Sequence, residues 1–330
     1  MKNARIAVLG SFVQDLAFTV DTFPQPGATR IGQFFTGPGG KGSNQAVAAH
    51  RQGVDTVFIG AVGEDLFGHG YKDWSSREGL PTALETFREH STGAASIVVN
   101  ARAENAIVVS LGANEHLTPS HTLASLNSIV SPSILLLQAE SSLESARAAL
   151  CWCRERGVLS IFNPAPINPD VTVELLRLAD CITPNETEAA YLIERASGRA
   201  WSEDFTKLSD QSIREVCDLL PTSTIILTLG RAGSILYQRG DPHTSLRGIQ
   251  KGEIVRTEAL SVKAIDTTGA GDAFNGGLAA GLARFDGDSK RAIRYATVVA
   301  GLSTTRAGTA PSMPRYEDVA AHRNFYEDLR

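Results

Sequence analysis

The run Asp266-Thr267-Thr268-Gly269-Ala270-Gly271-Asp272-Ala273-Phe274-Asn275-Gly276-Gly277 carries more chemistry than any other stretch of this chain. Phe274, Leu278 and Leu282 recur every four residues and predict a helix over Ala270–Arg284. Glycines at a helix start leave main-chain N–H groups free to converge on an anion, and the helix dipole adds to the attraction. The N–H groups of Ala270, Gly271 and Asp272 therefore suit a phosphoryl group in transfer. Asp272 stands among them. A carboxylate facing a phosphate is repelled unless it serves the reaction, and this one is placed to accept the proton of an attacking hydroxyl. An acid that merely complements a helix N-terminus would look the same. Spacing alone leaves both readings open.

A second glycine-rich run, Gly37-Pro38-Gly39-Gly40-Lys41-Gly42-Ser43-Asn44-Gln45-Ala46, fits G-x-G-x-x-G in form. A dinucleotide site needs an apolar strand directly before that pattern. Here Gln33-Phe34-Phe35-Thr36 precedes it, Pro38 interrupts it, and Ile6–Leu9 already supplies the first core strand. It is not a Walker A loop either, because Gly42 rather than Ser or Thr follows Lys41. What remains is a glycine turn that delivers Lys41 and Asn44 at a helix start, with Ser43 as the expected N-cap. Donors this close together suit a polyhydroxylated ligand. Pro184-Asn185-Glu186-Thr187-Glu188 puts Asn and Glu at the mouth of a strand, where a phosphate or a hydrated Mg²⁺ would sit. A capped, acidic first helical turn explains those residues equally well. Asp15 after Ile6–Leu9 and Glu140 after Ile134–Leu137 place two acids at strand ends, the beginning of a hydroxyl-binding set.

The elements that must position these residues alternate along the chain. Short apolar runs predict strands over Ile6–Leu9, Val57–Ile59, Ile134–Leu137, Leu159–Phe162, Cys181–Thr183, Ile225–Thr228 and Ser234–Tyr237. Helices are predicted over Ser43–Gln52, Ser142–Arg156, Glu186–Arg195, Ser212–Leu220, Ala270–Arg284 and Lys290–Thr304. The alternation argues for an α/β fold, a mostly parallel sheet between two layers of helices. Residues 12–40 and 94–111 break the rhythm and read as β-structure without crossover helices. They predict a small antiparallel sheet over the carboxyl ends of the strands, where open α/β sheets bind ligands. The expected division is a core of 1–11, 41–93 and 112–330 beneath a lid of 12–40 and 94–111.

The 330 residues are 42% hydrophobic and 20% charged with net charge −5, an ordinary globular balance that disfavours a nucleic-acid partner. No window is long and apolar enough to span a bilayer, and the N-terminus lacks a secretory core, so the expected location is the cytoplasm. Cys151, Cys153, Cys181 and Cys217 form no C-x-x-C pair and read as reduced. Seven scattered histidines support no zinc site.

Taken together, Gly39-Gly40-Lys41-Gly42-Ser43-Asn44-Gln45-Ala46, Pro184-Asn185-Glu186-Thr187-Glu188 and Asp266–Phe274 resemble, in order, the two signatures and the middle element of the ribokinase, or PfkB, carbohydrate kinase family. Gly10-Ser11, Leu111-Gly112-Ala113-Asn114, Gln138-Ala139-Glu140-Ser141 and Phe162-Asn163-Pro164-Ala165-Pro166 extend the resemblance over the whole chain. It implies a three-layer core with a β-lid, and transfer of the γ-phosphoryl group of ATP to a small sugar. Ribose is the first expectation, with a nucleoside, deoxyribose or a hexose as alternatives. By this resemblance Asp272 is the catalytic base and Gly269, Ala270 and Gly271 form the anion hole. Asp15, Gly40, Lys41, Asn44 and Glu140 bind sugar hydroxyls. Asn185, Thr228, Gly230, Gly233, Gly271 and Thr297 line the nucleotide site, and Glu188 organises Mg²⁺ through water. Asp266, Thr268, Ser303, Gly308 and Ser312 match the family's K⁺ site, and the lid is expected to mediate a homodimer. One departure is Val13, where some members carry Asn, because Val cannot hydrogen-bond a sugar hydroxyl.

Overall fold

The computed structural model describes residues 2–3, 5–102, 104–130 and 132–327. Its strands, in chain order, are β1 (Lys2–Asn3), β2 (Ile6–Leu9), β3 (Val13–Thr19), β4 (Gln33–Gly39), β5 (Thr56–Gly63), β6 (Thr82–Phe87), β7 (Gly93–Val99), β8 (Asn105–Ser110), β9 (Ile129–Val130), β10 (Ile134–Gln138), β11 (Leu159–Asn163), β12 (Cys181–Ile182), β13 (Thr224–Thr228), β14 (Ser234–Gln238) and β15 (Ile254–Thr257). The helices are α1 (Lys41–His50), α2 (Leu66–Glu78), α3 (Pro119–Asn127), α4 (Leu143–Arg156), α5 (Val173–Leu176), α6 (Glu186–Ser197), α7 (Asp210–Cys217), α8 (Ala270–Arg284), α9 (Ser289–Ser303), α10 (Tyr316–Ala320) and α11 (Arg323–Glu327).

Nine strands form the main sheet in the order β15-β14-β13-β12-β11-β10-β2-β5-β6. From β6 through β13 every neighbouring pair is parallel; β14 and β15 add an antiparallel edge. Side-chain alternation splits the core in two. Ala7 and Leu9 face one apolar cluster with Leu126, Trp152, Leu192 and Ile213, from α3, α4, α6 and α7. Ile6 and Val8 face the other, with Val47, Tyr71, Leu278 and Val299, from α1, α2, α8 and α9. This is the three-layer arrangement expected of apolar strands buried on both faces. Polar side chains cap α2 (Asp65), α3 (Thr118), α4 (Ser142), α6 (Asn185), α7 (Ser209) and α9 (Asp288), each contributing about 1 kcal/mol.

Two features of this topology create a site. From β2 the chain runs outward to β5 and β6, then returns to β10 and runs the other way through β11 and β12. The connections on either side of the β2–β10 pair therefore lie on opposite faces and leave a crevice at its carboxyl end. In addition, α8 packs closely on α1. A Cβ on Gly276 would run into the main-chain oxygen of Gln45 and meet Ala48 Cβ at 2.5 Å, so only glycine allows this approach.

A second, four-stranded sheet has the order β4-β3-β7-β8. Its two hairpins are antiparallel, as expected, but β3 and β7 at its centre are parallel. The reason is that two separate insertions meet side by side and run in the same direction. Phe34, Phe35 and Val108 on this sheet are exposed.

Candidate active site

Three helix N-termini converge on one cleft of about 170 Å³, lined by Lys41 from α1, Asn185 and Glu188 from α6, and Gly269, Ala270, Gly271 and Asp272 from α8. Asn163, Thr183 and Thr228 at strand ends complete its walls. Converging N-termini present partial positive charge and unpaired N–H groups, so the cleft favours anions before any side chain is counted. At the head of α8, Gly269 is the N-cap at φ 77°, and the Ala270 N–H turns back onto Thr267 O at 3.2 Å. Among the described residues the N–H groups of Gly271 and Asp272 have no protein acceptor and remain open.

Asp272 is buried and lines the cleft. Its Oδ2 accepts from Asn44 Nδ2 at 2.9 Å and its Oδ1 from Gln45 Nε2 at 3.0 Å. Asn44 Oδ1 is buried without a protein partner. Lys41 is held in the field of Asp272, Glu140 and Glu188; their attraction outweighs the burial that disfavours its charge, and its pKa lies above the usual lysine value. Glu140 Oε2 accepts from Ser11 Oγ at 2.5 Å and from the Lys41 N–H at 2.8 Å. Glu140 thereby caps α1 from ninety-nine residues away in sequence.

That contact corrects the expected start of α1. Ser43 is not the N-cap: the helix begins at Lys41, Gly40 is the N-cap at φ 85°, and Ser43 lies buried inside the helix. The left-handed φ restricts the cap to a residue such as glycine, and the distant carboxylate supplies the acceptor that a cap side chain otherwise provides. Asp15 lies within β3 of the small sheet, in the segment 12–40 expected to be β-structure, and its Oδ2 accepts from Thr309 Oγ1 at 3.1 Å. Burial, reinforced by the like charges of Glu140 and Asp272, pushes its carboxyl up to about 6, the Thr309 bond only partly opposing the rise.

Asn185 and Glu188 form the capping box of α6: Asn185 Oδ1 accepts from Glu188 N, and Glu188 Oε2 from Asn185 N, both at 2.9 Å. The capping reading of this motif is thus correct, yet both residues also line the cleft. Burial raises the pKa of Glu188. Thr228 ends β13 beside Asn185, its N–H donating to Pro184 O. Gly230 and Gly233 bound the turn that follows. Thr297 lies buried in α9 with its hydroxyl donating to Ile293 O, and is not among the residues lining the cleft. Asp266 ties two loops together, accepting from Thr268 N at 2.9 Å and Gly308 N at 3.0 Å. Ser303 and Ser312 donate to Ala300 O and Thr309 O.

Sequence reasoning did not assign roles to the amides beneath the cleft. Asn275 Nδ2 donates to Gly271 O and its Oδ1 accepts from Thr183 Oγ1. Asn163 Nδ2 donates to Thr183 O, and its Oδ1 accepts from Gln45 Nε2. The available signal is a lone amide inside or at the end of an apolar run, as at Gln138 closing β10 and Asn163 closing β11.

A doubly wound sheet, a cleft at its switch point, open amides for an anion and a carboxylate beside them define a kinase of small hydroxylated molecules. Comparison with known proteins agrees. The model of the pfkB family carbohydrate kinases matches residues 3–315, and the chain belongs to that family. It is 35% identical to the ribokinase of Haemophilus influenzae over 317 residues, 95% of this chain and 96% of that one. The ribokinase structure from Giardia lamblia superposes with a TM-score of 0.84 at 30% identity, covering 97% of this chain and 98% of that one. The structure of Arabidopsis thaliana ribokinase complexed with ribose and ATP gives 0.79 at 25% identity, with 97% and 98% covered.

Proposed function

We propose that this protein phosphorylates D-ribose on its 5-hydroxyl with ATP, using Asp272 as the general base. The observation that carries this reading is the placement of the Asp272 carboxylate beside the open N–H groups of Gly271 and Asp272 in one cleft. The phosphoryl group in flight has charge spread over its equatorial oxygens, which fixed amides stabilise without reorganising. The acceptor hydroxyl lies between that group and Asp272, which takes its proton as the new bond forms. Asp15, Gly40, Lys41, Asn44 and Glu140 hold the other sugar hydroxyls, Asn44 through its unpartnered Oδ1. Asn185, Thr228, Gly230, Gly233 and Thr297 flank the nucleotide. The small sheet acts as a lid that excludes water, the competing acceptor. Its exposed Phe34, Phe35 and Val108 are the surface through which two chains would pair, and the cytoplasm is the compartment in which ATP and the free sugar meet.

The donor set fits the cations of this chemistry. Glu188 and Asn185 offer hard oxygens at the cleft, suited to Mg²⁺ held through water, which neutralises phosphate charge when bound. Asp266, Thr268, Ser303, Gly308 and Ser312 would hold K⁺. The hydroxyls of Ser303 and Ser312 donate to carbonyls and so keep their lone pairs for a cation, and Asp266 already draws residues 268 and 308 together.

A panel of ribose, 2-deoxyribose, nucleosides and hexoses assayed with ATP, Mg²⁺ and K⁺ tests the acceptor. Ribose is expected to give the highest kcat/KM, and a higher value for a nucleoside or hexose would refute the assignment. One observation favours a second reading. Val13 is buried and pairs with Gly39 beside the Gly40 turn, so that wall offers no hydrogen bond. Such a wall tolerates loss of a hydroxyl, and 2-deoxyribose within about tenfold of ribose in kcat/KM is the outcome that reading predicts.

Asp15 makes sugar binding depend on pH. With its pKa near 6, the carboxylate is charged at pH 7.5 and protonated at pH 5.5, where it loses acceptor capacity. KM for the sugar is expected to rise several-fold as pH falls through about 6, with KM for ATP nearly constant. In Asp15→Asn the sugar KM should be uniformly high and flat over the same range. A sugar KM in the unaltered enzyme that ignores pH between 5.5 and 7.5 would contradict the role.

A further inference from the structure

We infer that Gln45 is a positioning residue for the catalytic carboxylate, oriented by an amide chain whose polarity is set by the main chain; the inference rests on Asp272 being the base. Thr183 O is an acceptor only, so Asn163 must turn its Nδ2 toward it, at 3.0 Å. That leaves Asn163 Oδ1 facing Gln45 Nε2 at 3.2 Å. Gln45 therefore turns its NH₂ end away from Gln138, with one hydrogen on Asn163 and the other on Asp272 Oδ1 at 3.0 Å. Its Oε1 accepts from Gln138 Nε2 at 2.6 Å, which closes off the flipped orientation from the other side. Gln45 is fully buried, and so is Gln138 but for a trace.

The cost of this arrangement is visible. Gln138 Oε1 is buried with no protein partner, and it lies where a Cβ on Gly10 would run into it. A packed core would replace Gln138 with an apolar residue unless its Nε2 were needed. Asp272 Oδ2 already has Asn44, but Asn44 has a buried Oδ1 without a protein partner, and a ligand that engages it would pull on this donor. Gln45 touches only protein. It is the donor that can fix the carboxylate whatever occupies the cleft, and it leaves the remaining lone pairs of Asp272 to the acceptor hydroxyl.

The test is steady-state kinetics of full-length Gln45→Met with ribose and MgATP, thermal unfolding, and titration with a non-hydrolysable ATP analogue, with Asp272→Asn run alongside. A lost hydrogen bond to a charged, aligned group is expected to lower kcat about tenfold to a hundredfold. The ribose KM and the analogue Kd should stay within about twofold. In the Asp272→Asn background Gln45→Met should change the residual rate by less than about twofold, because the residue acts only through the carboxylate. Gln45→Met combined with Gln138→Met removes the unpaired amide and should recover Tm without recovering kcat. If Gln45→Met does not fold, Gln138→Met alone reads the same chain one residue further back and should lower kcat about threefold or more with KM unchanged. A Gln45→Met enzyme with near-normal kcat beside an inactive Asp272→Asn overturns the positioning role alone, as does a double variant whose kcat returns with its Tm. An active Asp272→Asn overturns both assignments.

Discussion

Asp272→Asn lowers kcat by about 10²–10⁴-fold while the Kd for ATP stays within about twofold. The carboxylate is the acid at the head of α8 itself, beside the open amides, whereas Glu188, the other acid lining the cleft, belongs to α6 and is tied to Asn185 in that helix's capping box. The substitution is close to isosteric, but it is not silent for the structure. Asn44 Nδ2 and Gln45 Nε2 each donate to a different carboxylate oxygen. An amide can accept from only one of them and sets its own NH₂ against the other, so a fall in Tm is expected as well. Nucleotide titration separates the two effects, because the proposed nucleotide site is built from α6 and the turn after β13 rather than from Asp272. An enzyme that keeps ATP affinity and loses turnover has lost its base. One that loses both has lost its fold.

Lys41→Met is expected to lower kcat/KM about 10²–10³-fold and Tm by roughly 5 °C or more. Lys41 is the cation surrounded by Asp272, Glu140 and Glu188, and its pKa stands above the ordinary value because of them. Without it, three neighbouring acids face one another across a partly buried cleft. Glu188, whose pKa burial already raises, loses the Lys41 charge that opposes the rise, so the folded chain binds more protons than the unfolded one at intermediate pH. Stability under those conditions increases as pH falls. The deficit in Tm should therefore be larger at pH 8 than at pH 5.5. Thermal unfolding at the two values checks this, and a deficit that grows on acidification would show that Lys41 is not the charge partner of these acids.

The parts of the molecule written in local patterns were legible, and the parts written in distant contacts were not. The repeat Phe274, Leu278, Leu282 after Gly269-Ala270-Gly271 gave α8 with the bounds it has, because start signal and apolar spacing lie in one window. The central strands announced themselves as short apolar runs because both of their faces are buried. The edge strand β6, half-exposed along most of its length, and β15, with mixed burial, carry no such run. Helix α2 buries only Gly68, Tyr71 and Ser75, which makes no apolar stripe, while Leu66 at its start is 82% exposed. Placing the cap of α1 at Ser43 failed for a clear reason. The true acceptor is Glu140, brought in by the pairing of β2 and β10, and no window around residue 43 contains it.

The candidate site divides in the same way. Asp272, Lys41, Asn44, Asn185 and Glu188 lie at helix starts, where residue type and position together suggest chemistry. Asp15 and Glu140 were visible as acids near strand ends, but their convergence needed the small sheet to fold back over the core, tied by Thr309 to Asp15 and Pro38. The amide chain through Gln138, Gln45 and Asn163 spans three elements and had no local signature beyond polar residues in apolar company.

The most direct measurement is a crystal structure of the enzyme with ADP, Mg²⁺, aluminium fluoride and ribose, which captures the transfer geometry. The expected result is a planar fluoroaluminate on the N–H groups of Gly271 and Asp272, with an Asp272 oxygen within about 3 Å of the sugar 5-hydroxyl in line with the metal–oxygen axis. A complex in which that hydroxyl is held by another residue, with the Asp272 carboxylate turned away from it, would contradict the account.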